Sequence, residues 1–188
     1  MPQKIKLAIA LLTLPERIAT RYATLRSLGA TDWDGDLQLV IDDGEGPPSL
    51  KRLARNYTRA MQVCARAQAD FALLLEDDLT FNRHLAHNLR AWLKSFRPKD
   101  VGSLYSSTLG RRCGTQAIIT NPTVWATLHH TATLAPAATV PIDQWLHTMV
   151  SPKNFRVHQP SLVDHNAHVS AWGGPAHKAR NFDPDFCA

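Results

Sequence analysis

The stretch Leu73-Leu74-Leu75-Glu76-Asp77-Asp78-Leu79-Thr80-Phe81 decides how this chain is read. Phe71 to Leu75 is an unbroken apolar run of strand length, the pattern of a strand buried on both faces. It stops abruptly at three acidic residues. Consecutive carboxylates at the end of a buried strand repel one another and lose solvation, unless a cation holds them. The carboxyl end of a parallel strand is also where open α/β sheets bind ligands. Hard oxygen donors suit Mg²⁺ or Mn²⁺, which keep positions open for a ligand's oxygens. The competing reading of Glu76-Asp77-Asp78 is a solvated acidic turn, and the residues around it must decide.

Working outward, Leu7 to Leu12 is another apolar run and reads as the first strand. Pro15 opens a helix predicted from Glu16 to Leu28, with Ile18, Tyr22, Leu25 and Leu28 as its apolar stripe and Gly29 at its end. Leu37 to Ile41 is a strand closed by Asp42-Asp43-Gly44 and the Gly46-Pro47-Pro48 turn. Ser49 caps a helix running to about Ala69, with Leu50, Leu53, Tyr57, Met61 and Cys64 inward. Beyond the acidic triplet, a helix is predicted over Asn82 to Phe96. Strands follow over Val101 to Tyr105 and Thr115 to Thr120, separated by a polar Ser106 to Gly114 loop. Asn121-Pro122 begins a further helix to about Leu128 or His130, and Pro141 to Val150 is a shorter one. Strand and helix alternate through the first half, which predicts a mostly parallel sheet with helices on both faces. A mixed sheet closes the second half, so the class is α/β.

Length and composition fit that class. A chain of 188 residues reads as a single domain over 1–188, with a flexible tail from about 173 after Gly173-Gly174-Pro175. Hydrophobic residues at 44% and charged ones at 20% exclude a disordered or collagen-like chain. Cys64, Cys113 and Cys187 have no CxxC spacing and are odd in number, which argues against a disulfide framework and for a reducing compartment. No segment reaches the ~20 apolar residues of a membrane helix. The basic start before Leu7 is not followed by an A-x-A-like cleavage site, so a cytoplasmic protein is expected. A net charge of +5 and a pI near 9.4 suit an anionic partner, either a nucleoside diphosphate or a nucleic acid.

Together these residues resemble a small glycosyltransferase of the GT-A fold, the nucleotide-sugar-dependent class. Ala10-Leu11-Leu12-Thr13-Leu14-Pro15-Glu16-Arg17 resembles its first strand and nucleotide-contacting loop, and Glu76-Asp77-Asp78 its DxD-type metal motif. Gly114-Thr115-Gln116-Ala117-Ile118-Ile119-Thr120 resembles its glycine loop and following strand. Pro141-Ile142-Asp143-Gln144-Trp145-Leu146 resembles its acidic helix start. Pro160-Ser161-Leu162-Val163-Asp164-His165 resembles the segment that gives a histidine to the metal.

The resemblance implies roles. Asp78 and His165 would ligate Mn²⁺ or Mg²⁺, with Glu76 and Asp77 near the ribose and metal waters. Thr13, Pro15, Arg17, Asp42, Asp43, Arg55 and Gly114 would surround the donor. Asp143 falls where inverting members carry the general base, although Ile142 stands in place of the usual glutamate; capping its helix is the alternative role. His158 and His168 are rival ligands. Arg111 and Arg112, in a loop flanked by Gly110 and Gly114, and Lys178 and Arg180 are placed to close on a diphosphate or meet an acceptor. Lys51, Arg55 and Arg59 recur every four residues and form either a solvated helix face or an anion platform. Trp145 and Trp172 belong to the core or pack under a sugar.

The partners implied are a nucleotide-sugar donor of the UDP-sugar class and an acceptor hydroxyl on a saccharide or glycan. A hydroxymethylated base in DNA is the other acceptor, and would have to be flipped out of the duplex. A nucleotidyltransferase-like metal enzyme fits less well, because neither GxGxxG nor GxxxxGK[ST] is present to cradle a triphosphate. A non-catalytic nucleotide- or nucleic-acid-binding module is the remaining alternative.

Overall fold

Strands and helices alternate in the computed structural model, which describes residues 4–44, 49–107, 114–134, 140–166 and 178–188. The strands are β1 (Leu7–Thr13), β2 (Asp36–Ile41), β3 (Phe71–Glu76), β4 (Leu79–Phe81), β5 (Val101–Ser103), β6 (Ala117–Thr120), β7 (Phe155–Val157) and β8 (Val163–His165). The helices are α1 (Ile18–Gly29), α2 (Leu50–Ala65), α3 (Leu85–Leu93), α4 (Pro122–Leu134) and α5 (Ile142–Met149). Six strands form one sheet in the order β2-β1-β3-β6-β5-β7. Within it only β6 runs against the others, which makes the sheet mostly parallel. A second sheet pairs β4 with β8.

Strand alternation divides the core in two. Ala10, Leu12, Ala72, Leu74 and Ile118 pack against Ala60 and Met61 of α2, Trp125 of α4 and Trp145 of α5. Ile9, Leu11, Leu73, Leu75 and Ile119 point the other way, onto Leu85 and Leu89 of α3 and Leu28 of α1. Each fully buried leucine contributes roughly 1.5–3 kcal/mol. The apolar runs of β1 and β3 are continuous because both of their faces are covered. Trp145 belongs to this core. The edge strand β2 buries Val40 but leaves Leu37, Leu39 and Ile41 exposed.

The structure differs from the sequence expectation in several places. Helix α1 begins at Ile18 rather than Glu16 and does not bury the predicted stripe: Ile18 and Tyr22 are exposed, and Thr24 and Leu28 face inward. The reason is a polar seam. Thr24 Oγ1 donates to the carbonyl of Asp77 at 2.6 Å and accepts from the N–H of Leu79 at 3.0 Å. Helix α2 is capped by Ser49, which accepts from Arg52 N at 3.1 Å, and ends at Ala65; Leu50 is exposed. Helix α3 starts late because the Asn82 side chain accepts from His84 N at 2.8 Å, closing a turn there. Strands β4, β7 and β8, three residues each, were not foreseen.

Residues 178–188, part of the segment expected to be a flexible tail, lie against the body of the protein. Asn82 Nδ2 donates to the carbonyls of Asp183 and Phe186 at 2.8 and 3.0 Å, and Ala188 N to Asn88 Oδ1 at 2.8 Å. Residues 173–177, and the expected turn at 46–48, lie outside the described residues. Among the described residues, no helix is long and apolar enough to cross a membrane.

Candidate active site

The parallel register that sets Leu12 beside Glu76 brings the Thr13–Arg17 loop alongside Asp77 and Asp78 at the carboxyl ends of β1 and β3. The antiparallel pairing of β4 with β8 sets Leu79 opposite His165. Two stretches far apart in sequence thus meet at one turn. Asp77, Asp78 and His165 are each almost wholly buried there.

Every group in this cluster is held. Thr13 Oγ1 donates to Asp77 Oδ2 at 2.5 Å. Arg17 Nη2 lies 2.8 Å from Asp78 Oδ2 and 3.2 Å from Asp77 Oδ1. His165 Nε2 lies 3.3 Å from the same Asp78 Oδ2. The backbone of Asn166 donates to the Asp78 carbonyl at 2.7 Å. Asp78 Oδ1, by contrast with Oδ2, is buried and has no hydrogen-bond partner among the described residues. A buried carboxylate oxygen without a donor is an unmet demand for positive charge.

Glu76 takes a separate set of partners. Its Oε1 lies within hydrogen-bond distance of the Tyr57 hydroxyl and, at 3.0 Å, of the Thr115 hydroxyl, and the two hydroxyl oxygens are themselves 2.9 Å apart. Periodicity in the sequence marks Tyr57 only as a core residue of α2. Its ring is indeed core, but its hydroxyl belongs to the site, and helical periodicity reports the ring alone. Thr24 and Thr115 were missed for a similar reason, since a threonine carries no periodic signal.

The charges bias one another strongly. Burial and the Asp78 charge push Glu76 up to about 7, against the opposing pull of Tyr57, Thr115 and His165. Burial also raises Asp77, outweighing Thr13 and Arg17. Burial would raise Asp78 too, but His165 and Arg17 hold it below the usual carboxylate range. In return, Asp78 raises His165 and Arg17 against the desolvation that opposes their charge.

Asp42 and Asp43 form a second group at the end of β2. Asp42 is buried and accepts from Arg52 Nε at 2.6 Å and from Gly44 N at 3.1 Å, while its own N–H donates to Thr13 O at 2.9 Å. Burial raises its carboxyl, but the Gly44 N–H, Arg52 and Asn56 together bring it below its ordinary value. Asp43 pairs with Arg55 at 2.7 Å and Arg59 at 3.5 Å, so those two cations of the expected anion platform are already engaged. Pro15 stands near Gly44, whose φ of +74° requires glycine.

The remaining predicted residues lie in various places. Gly114 leads into β6 where a side chain would run into that of Gln116. Asp143 lies in the first turn of α5, whose cap position is Pro141 with no side-chain cap bond, so Asp143 does not cap the helix. Its neighbour Ile142 lines a small internal cavity with Tyr57 and Thr115, which puts this end of α5 beside the Glu76 group. Lys178 reaches Asp164 at 3.2 Å, and the backbone of Arg180 is pinned between Ser106 and Ser161. The rival His158 is buried away from the carboxylates, bonded through Nδ1 to Pro160 O and stacked edge-on with Trp92. Arg111, Arg112, His168 and Trp172 lie outside the described residues.

The fold so described is similar to that of glycosyltransferases of known structure. The chain is similar to the glycosyltransferase GlyE of Streptococcus pneumoniae TIGR4, with a TM-score of 0.59 and 12% identity over 82% of this chain and 45% of that one. The apo form of GlyE gives a TM-score of 0.60 and 14% identity over the same shares. A glycosyltransferase involved in the glycosylation of the major capsid of PBCV-1 is similar over 88% of this chain and 94% of its own, with a TM-score of 0.61 and 12% identity. The chain therefore spans less than half the length of GlyE but nearly the whole of the viral protein. At such identities the likeness is one of fold. No protein-family model matches the sequence, and no curated protein is significantly similar to it.

Proposed function

We propose that this chain is a metal-dependent glycosyltransferase that moves a sugar from a nucleoside diphosphate sugar, UDP in our reading, to an acceptor hydroxyl. The observation that carries the proposal is the meeting of Asp78 and His165 across the β4–β8 pair, 3.3 Å apart at the carboxyl ends of β1 and β3. An oxygen and an imidazole nitrogen at that separation, with Asp78 Oδ1 unpartnered beside them, fit a divalent cation. Asp78 and His165 would hold Mn²⁺ or Mg²⁺. When bound, the ion supplies Lewis-acid stabilisation to the departing diphosphate.

The chain's own groups divide the remaining work. Thr13 and Asp77 fix the floor of the site, while Glu76, set by Tyr57 and Thr115, faces the ribose side. Asp42, already neutralised by Arg52, meets the base or ribose rather than an ion, with Pro15, Asp43 and Arg55 at its rim and Gly114 across the site. Asp143 takes the proton from the acceptor hydroxyl as the new C–O bond forms and the bond to the diphosphate breaks, inverting the anomeric carbon. Arg111, Arg112, Lys178 and Arg180 remain candidates for covering the departing phosphates or meeting the acceptor. The acceptor we favour is a saccharide or glycan. The pairing of Arg55 and Arg59 with Asp43 leaves less free positive surface for DNA than the sequence suggested.

The test is a thermal-shift panel of nucleoside diphosphates, each with and without Mn²⁺. A ligand at 100 times its dissociation constant adds about 2.7 kcal/mol, which moves the midpoint of a protein of this size by several degrees. A shift with UDP that requires Mn²⁺ and disappears in Asp78→Ala is the expected result. No shift with any diphosphate, with or without metal, overturns the proposal.

A further inference from the structure

We propose that Arg17 is an exchangeable counter-ion: it occupies Asp78 until a divalent cation and a diphosphate enter together, and then passes from the carboxylate to the diphosphate. This rests on the metal-site reading above and adds to it a role for one side chain.

The argument begins with a shared atom. Arg17 Nη2 and His165 Nε2 both converge on Asp78 Oδ2, at 2.8 and 3.3 Å. A cation bound between Asp78 Oδ2 and His165 Nε2 takes that oxygen, and two positive groups cannot share it at contact distance without strong repulsion. The guanidinium must therefore move when the cation arrives. Its anchoring permits this. The backbone of Arg17 is fixed by its bond to Leu14 O at 3.2 Å and by donation from Arg21 N at 2.9 Å. Its side chain is tied only to Asp77 and Asp78 among the described residues and keeps some exposure to solvent.

A destination lies close by. Arg17, at the cap position of α1, and Arg21 and Thr24 within the helix are spaced four and three residues apart, and both ends of that row touch the β3–β4 turn. Between them, Arg21 Nη1 is buried and has no hydrogen-bond partner among the described residues. An unsatisfied guanidinium N–H four residues on from a displaceable one offers a second donor for an anion, and the planar fork of arginine suits phosphate as well as carboxylate. Charge balance gives the direction of coupling. With Arg17 in place, a cation entering alone adds two positive charges to a site already partly neutralised. Entering with a diphosphate, it brings compensating negative charge, and the released guanidinium finds a partner. Metal and nucleotide binding are thus coupled through Arg17, beyond whatever direct contact they make.

The experiment is a titration of Mn²⁺ followed by the electron paramagnetic resonance signal of the free ion, on wild type, Arg17→Gln and Arg17→Lys, each with and without UDP. Without UDP, Arg17→Gln is expected to bind Mn²⁺ about tenfold more tightly than wild type, an effect within the usual range for coupled sites. Its UDP affinity at saturating Mn²⁺ should fall by about as much. Arg17→Lys, which keeps the charge, should retain the weak metal binding of wild type. Unchanged or weaker Mn²⁺ binding in Arg17→Gln, with wild type still binding Mn²⁺, overturns the exchange and leaves the metal site standing. No Mn²⁺ binding by either protein, with or without UDP, overturns the metal reading and the exchange with it. Should Arg17→Gln fail to fold, wild type decides by NMR. The Arg17 Nε–H resonance is expected to move when Mg²⁺ and UDP are both present, and its immobility under those conditions overturns the proposal.

Discussion

Two acidic turns close β2 and β3, the strands that flank β1 in the same sheet, and they are unlike in one respect. At the end of β2, Asp42 and Asp43 meet three arginines, Arg52, Arg55 and Arg59. At the end of β3, Glu76, Asp77 and Asp78 meet one arginine and one histidine, and Asp78 Oδ1 has no partner among the described residues. The first turn is satisfied by its own chain, and the second is not. Acidic residues after an apolar strand give the same signal in the sequence, so the difference lies wholly in what the rest of the fold brings to them. An excess of buried carboxylate is what a cation would correct.

The largest effect should come from Asp78→Asn, which keeps the shape and removes the charge. Turnover is expected to fall by about a thousandfold, as for loss of a principal electrostatic group, measured as kcat with UDP-sugar and Mn²⁺. An activity unaffected by the substitution would make the two turns equivalent after all. Asp42→Asn should behave differently. It breaks a buried ion pair with Arg52, so it is expected to lower stability by about 3 kcal/mol in urea unfolding and to leave any Mn²⁺ affinity of the chain unchanged.

Much of this was legible beforehand, and the parts that were not have a common cause. The β1, β2 and β3 strands, the α/β class and the place of the acidic triplet at the end of β3 follow from apolar runs and their abrupt ends, which are local signals. His165 was reached by resemblance alone; the pairing that delivers it, β4 with β8, is three residues long on each side and has no periodicity to detect. Tyr57 and Thr115 were hidden because a hydroxyl adds nothing to a hydrophobic pattern. The stripe on α1 was misread because a threonine, Thr24, is buried by two backbone hydrogen bonds where apolar spacing favoured Ile18 and Tyr22. Long-range pairing and polar burial are what a pattern of local hydropathy omits.

Glu76 of one turn and Asp42 of the other should also answer to pH with opposite sign. Glu76 holds its proton up to about 7 in the folded chain, against an ordinary value near 4.3. Across that interval the folded state binds more protons than the unfolded one, so metal-free protein should lose stability as pH rises from about 4.3 to 7. His165, also raised, extends the loss upward from about 6.5. Glu76→Gln should flatten the lower part of that slope in urea titrations, and an unchanged slope would remove Glu76 as its source. Asp42 is depressed instead, so its contribution is complete above about 3.9 and is lost only as pH falls through its lower folded value.

The smallest effect tests the rim of the satisfied turn. Arg59 reaches Asp43 at 3.5 Å in a pair that is substantially exposed on both sides, and Asp43 keeps the closer Arg55 at 2.7 Å. An exposed second partner of this kind contributes little, because water screens the pair and two long side chains resist being fixed. Arg59→Ala is therefore expected to change unfolding free energy by less than about 0.5 kcal/mol, with the difference shrinking further in high salt. A salt-insensitive loss of several times that size would show that the β2 turn depends on all three of its arginines, and that its neutrality is less secure than its geometry indicates.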